Sequence, residues 1–108
     1  TRFTMEKELY TNIFEDSFGI RVLLPSSERR EIIHTIIFEE LCLGILKNES
    51  KNIFQQIIEE MASQGAQGVA LACTEIPLLI KQEDVSIPVF DTTTIHAQAA
   101  VKYALGIE

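Results

Sequence analysis

The stretch of this chain best suited to proton chemistry is Ala72-Cys73-Thr74-Glu75-Ile76-Pro77, which follows directly on the apolar run Gly68-Val69-Ala70-Leu71. A short apolar run closed by small and polar residues, with Pro after it, reads as a buried parallel strand whose last side chains reach the strand's carboxyl edge. Open α/β sheets place their ligands at that edge. A thiol there, followed by a hydroxyl, a carboxylate and helix-like sequence, is expected to favour the thiolate, because helix N-terminal N–H groups attract negative charge. The alternative for Cys73 is the ordinary fate of a free cysteine, a small buried hydrophobe.

The surrounding sequence supplies elements able to hold such a strand. Thr4 is expected to cap a helix whose apolar positions Leu9, Ile13 and Phe14 recur at helical spacing and which stops at Gly19. Ile20-Arg21-Val22-Leu23-Leu24 reads as a strand closed by Pro25. Ser26 or Ser27 then caps a longer helix with an apolar face from Ile32 to Ile45, ending near Gly44. Ser50 is expected to cap the next helix, which carries Ile53, Phe54, Ile57, Ile58 and Met61 and is terminated by Gly65. After the strand at Gly68 to Leu71 come a short helical segment, a strand at Ile87-Pro88-Val89-Phe90 and a final helix from Thr93 to Leu105. Strands alternating with helices imply an α/β fold, a parallel sheet with helices on both faces.

Composition narrows the chemistry. At 108 residues and 46% apolar content the chain is expected to be one domain, residues 1–108, with a core of its own. The net charge of −7, with nine Lys and Arg scattered along the sequence, argues against nucleic acid as a partner. A carboxylate ligand would have to be held by local donors rather than by the overall field. No apolar stretch is long enough to span a membrane, so no membrane partner is expected. Two cysteines in unlike contexts make neither a disulfide framework nor a metal site, and they suit a reducing, cytoplasmic compartment. Cys73, Glu75 and His96 lack ligand spacing on any one element, so no metal is expected. No phosphate loop is present, and no Lys context suggests a pyridoxal site.

From Gly65 the chain reads Gly-Ala-Gln-Gly-Val-Ala-Leu-Ala-Cys-Thr-Glu-Ile-Pro-Leu-Leu-Ile and, after a short loop, Pro-Val-Phe-Asp-Thr-Thr-Thr-Ile-His-Ala-Gln-Ala-Ala-Val. With Thr1-Arg2-Phe3-Thr4-Met5-Glu6 and Ile37-Phe38-Glu39-Glu40-Leu41-Cys42-Leu43-Gly44 upstream, it resembles the second half of the aspartate/glutamate racemase family. The resemblance implies one half of a two-domain, pseudo-symmetric fold, the amino-terminal half being absent, so the full-length protein is expected to be the racemase and the isolated fragment inactive. It also implies cofactor-independent racemisation of a small amino acid and a homodimer when full length. In that family two residues, usually cysteines, flank the α-carbon, one from each half. Cys73 matches the second-half cysteine and would take or give the α-proton. The alternatives are a hydantoin racemase, decarboxylase or isomerase of the same superfamily, or a binding or assembly domain without catalysis.

The resemblance assigns further residues. Glu75 stands where the aspartate-type branch carries Glu, and either orients the cysteine or caps the following helix. Thr74 is the expected donor to the substrate carboxylate. Thr1 and Thr4 resemble a Thr-rich loop that holds a carboxylate, against simple capping by Thr4. Arg2 is either a carboxylate fork or a solvated side chain. Cys42 is expected in an apolar helical face, and His96, near the first turn of the last helix, points to the cleft or covers the core. Asp91 or one of Thr92 to Thr94 caps that helix. Where some aspartate-specific members carry a Lys, this chain has Glu39, Glu40 and Cys42, which widens the expected substrate range; Ala72 in place of the commoner Gly bears on the same pocket.

Overall fold

The computed structural model describes residues 1–107. Helices α1 (Arg2–Glu6), α2 (Glu8–Phe18), α3 (Ser27–Glu39) and α4 (Asn48–Ser63) precede strand β1 (Val69–Leu71). The short helix α5 (Ile76–Leu79), strand β2 (Val89–Asp91) and helix α6 (Thr92–Leu105) follow, and 3-10 turns lie at Leu41–Leu43 and Gln82–Asp84. β1 and β2 pair in parallel, with Val69 opposite Val89 and Leu71 opposite Asp91. The chain is thus a helix-rich α/β fold around a two-stranded parallel sheet.

One core joins the middle of the chain. Ile33, Ile36 and Ile37 of α3 pack with Phe54, Ile57 and Ile58 of α4, and with Leu71, Ile76, Leu79 and Ile80 around the strand end. Their spacing of three and four residues along α3 and α4 places them on facing stripes. Ile37 and Ile80 are 1% exposed, so the segment just after Cys73 is anchored from below. Ser26 caps α3 by accepting from Arg29 N, and Gly19, at φ 63, ends α2 in the left-handed conformation that glycine adopts without strain.

Several local expectations are corrected. The segment Ile20 to Leu24 is not a strand: among the described residues β1 and β2 pair only with each other, so no sheet edge receives it. Val22 N donates instead to the Glu15 side chain, and Ile20 stays 51% exposed. The first helix is broken at Lys7, which is extended at ψ 131, and its cap is Thr1 rather than Thr4. Ion pairs from Arg2 to Glu31 and from Arg30 to Glu6 hold α1 against α3, and tertiary contact overrides the continuous helical pattern. α3 stops at Glu39, and the tighter turn that follows buries Leu41 while turning Cys42 outward. Cys42 is therefore exposed, not part of an apolar face. Ser50 does not cap α4 but lies inside its first turn, buried, donating to Glu40 Oε1 at 2.5 Å. The last helix begins at Thr92, one residue earlier than its sequence signal.

Candidate active site

Cys73 lies two residues beyond the last paired residue of β1, in a bend that enters α5. Pro77, in the first turn of α5, suits that helix start because its missing N–H would have no helical partner there. The Cys73 side chain is half-buried and packs against the core. Its thiol donates to Glu75 Oε2 across 3.2 Å, and the nearby backbone N–H groups of Glu75 and Ile76 favour the thiolate. Burial pushes the thiol above its ordinary value, and the Glu75 carboxylate pushes the same way. The two N–H groups oppose this without overcoming it. This corrects the expectation of a lowered pKa: the donors are present, but desolvation and a neighbouring negative charge outweigh them. Glu75 is held below the usual carboxylate range by the hydroxyl of Thr74 and the thiol of Cys73.

The structure thus gathers Cys73, Thr74 and Glu75 in one bend, with Thr74 exposed. It ties this bend to the neighbouring strand through Thr92, whose hydroxyl donates to the Leu71 carbonyl at 3.1 Å. Asp91 caps α6 by accepting from Thr93 N and Thr94 N, and Thr94 Oγ1 donates to its second oxygen at 2.8 Å. The sequence left the choice between Asp91 and the threonines open; the carboxylate takes it.

Among the described residues, none of the other expected site residues hydrogen-bonds to that bend. Thr1 and Thr4 bond to each other at 3.4 Å. Arg2 is engaged by Glu31 at 2.6 Å and by Glu6 at 3.6 Å, so its guanidinium is already paired with two carboxylates. His96 is exposed on α6 and does not cover the core. His34 is half-buried beside Phe38, with ring centroids 4.7 Å apart. Among the described residues no group of three His, Cys, Asp or Glu is placed to hold a metal ion.

Two clefts open nearby. One of about 380 Å³ lies between α1, α2 and Arg30, away from the strand ends. The other, about 200 Å³, is lined by Leu71 and Asp91, the last residues of the two strands, together with Pro77, Ile80, Lys81, Gln82 and Val89. The second is the relevant one, since it sits where parallel strands end. Cys73 lines neither cleft.

A parallel strand ending in a thiol, a hydroxyl and a carboxylate, beside a cleft at the same edge, defines an α/β protein with a candidate acid/base cysteine. The chain belongs to the Asp/Glu/hydantoin racemase family, whose sequence profile matches residues 1–100. It is similar to a candidate Asp/Glu racemase from Yersinia pestis, with 47% identity and a TM-score of 0.91, covering 97% of this chain and 46% of that one. It is also similar to an aspartate racemase homologue from Pyrococcus horikoshii OT3, with 42% identity and a TM-score of 0.86, covering 96% of this chain and 45% of that one. The chain therefore spans about half the length of the solved structures it matches.

Proposed function

We propose that this chain is the carboxyl-terminal half of a cofactor-independent amino-acid racemase of the aspartate/glutamate type, with Cys73 as one of two acid/base groups. The observation that carries the reading is the setting of Cys73 within a family match over residues 1–100: a thiol at the end of a parallel strand, in contact with Glu75. The half-enzyme reading is supported by the span of about half of each matched racemase structure. It is also supported by an apolar surface on α6, where Val101 and Leu105 are more than half exposed, suited to cover by further protein.

In this mechanism the Cys73 thiolate takes the α-proton of one enantiomer. The C–H bond breaks, an S–H bond forms, and the electron pair spreads into the substrate carboxylate. A group on the opposite face, from the other half, returns a proton to the carbon. In the reverse direction the Cys73 thiol gives its proton to the carbanion. Thr74, through its backbone N–H and a hydroxyl that turns from Glu75 to the substrate, stabilises charge developing on the carboxylate. With its pKa raised, Cys73 rests as a thiol near neutral pH and is poised as the donor. It becomes a base as the pH rises or as a carboxylate ligand rearranges the Glu75 contact. The complete enzyme in this reading is a cytoplasmic homodimer.

Incubation of the full-length enzyme in D2O with aspartate, glutamate or a hydantoin, read by proton NMR, tests the reading. Deuterium entering the amino-acid α-position supports it. Exchange confined to the hydantoin ring carbon moves the substrate class within the family. No exchange into any of the three, with the fold intact, overturns it.

A further inference from the structure

We propose that Thr92 is a positioning residue for Cys73: its hydroxyl fixes the end of β1 so that the thiol is held against Glu75 in the following bend. The inference rests on the assignment of Cys73 as the acid/base. The three consecutive threonines after Asp91 divide their work. Thr94 bonds back to Asp91, Thr93 offers only its backbone N–H to that cap and is otherwise exposed, and Thr92 alone reaches across to the other strand. Its partner, Leu71, is the last paired residue of β1 and lies two positions before Cys73.

The location makes this bond consequential. Leu71 is 4% exposed and anchored in the core, and Ile76 and Ile80 anchor the chain again beyond the bend. Between those anchors, Ala72 to Glu75 have no regular pairing, so the direction in which the chain leaves β1 sets where the sulfur lies against Glu75. Hydrogen bonds to a thiolate weaken steeply as distance and angle depart from their optimum. Displacement of a reacting group by about 1 Å costs on the order of a hundredfold in rate. Glu75 is the one charged group among the described residues that acts on the Cys73 sulfur, so a shift of the sulfur against its carboxylate changes how readily the thiol ionises.

The test compares Thr92→Ala, which removes the hydroxyl, Thr92→Ser, which keeps it, and Thr93→Ala as a neighbouring control. The first readout is the pH profile of Cys73 alkylation by iodoacetamide, followed by peptide mass, with circular dichroism to confirm the fold. The expected result is a displaced Cys73 midpoint in Thr92→Ala, since the sulfur's distance from the Glu75 carboxylate changes. Wild-type profiles are expected for Thr92→Ser and Thr93→Ala. Should Thr92→Ala unfold, Thr92→Val, which keeps the branched shape and lacks only the hydroxyl, is read in the same way. The second readout is α-proton exchange by the full-length enzyme, where Thr92→Ala is expected to lose about tenfold or more in kcat with little change in KM. A wild-type alkylation profile in the hydroxyl-less variant, or an equal shift in Thr92→Ser, overturns the positioning role. Shifted alkylation together with no exchange even in the wild type leaves that role standing and overturns the racemase reading instead.

Discussion

Replacing Glu75 by Gln should lower the pKa of Cys73 and make it the more reactive thiolate. The carboxylate oxygen lies 3.2 Å from the sulfur, accepts the thiol proton and carries a negative charge, and both effects favour the protonated form. Two unit charges at that distance interact by about 1.3 kcal/mol even in a water-like dielectric, a lower bound beside a half-buried thiol. That energy corresponds to about one pKa unit. Glu75→Gln keeps the size of the side chain and removes the charge, so the midpoint of Cys73 alkylation against pH should fall by about one unit. The thiolate fraction near neutral pH rises about tenfold, but a less basic thiolate is a weaker nucleophile, so the net rate gain is about threefold. Iodoacetamide labelling followed by peptide mass measures both quantities. An unchanged or raised midpoint would show that the carboxylate does not act on the sulfur and would refute the argument.

The two thiols should also separate. Cys42 is exposed, whereas Cys73 is half-buried with its pKa raised, so Cys42 should label faster near neutral pH; faster labelling of Cys73 would contradict the burial and charge argument. In the core, Ile37→Ala removes a side chain 1% exposed between α3 and α4 and should destabilise the chain by about 2–5 kcal/mol in urea unfolding, whereas a loss below about 1 kcal/mol would mean the core is not packed as described.

What the sequence made legible were features set by neighbouring residues. The run Val69 to Leu71 followed by polar residues marked β1 and its carboxyl end, Ser26 marked the start of α3, and Gly19 marked the end of α2. The family resemblance rested on the same local motifs. Features set by distant partners were not legible. Ile20 to Leu24 has the composition of a strand, but a strand also needs an edge to pair with. Lys7 gives no breaking signal; the ion pairs between α1 and α3 turn the chain there. Cys42 has helical spacing, yet the turn at Leu41–Leu43 rotates it to the surface. The raised pKa of Cys73 is a balance between burial and two N–H groups, and motif reading saw only the donors. The Thr92 bond to Leu71, twenty-one residues away, carries no sequence signal beyond the presence of a hydroxyl.

The central claim is that Cys73 moves a proton at the α-carbon of an amino acid. It is tested most directly by following aspartate and glutamate in D2O with the wild-type chain and with Cys73→Ser, reading α-deuteration by NMR and inversion by chiral chromatography. Serine is nearly isosteric but far less ionised, so it cannot serve as the same base. The account predicts α-deuteration that depends on Cys73 and no inversion by these 108 residues, since one group works one face of the carbon. Equal deuteration by Cys73→Ser with an unchanged circular dichroism spectrum would remove Cys73 from the chemistry. Inversion of either enantiomer by the wild-type chain, lost in Cys73→Ser, would show a complete site and contradict the half-enzyme reading.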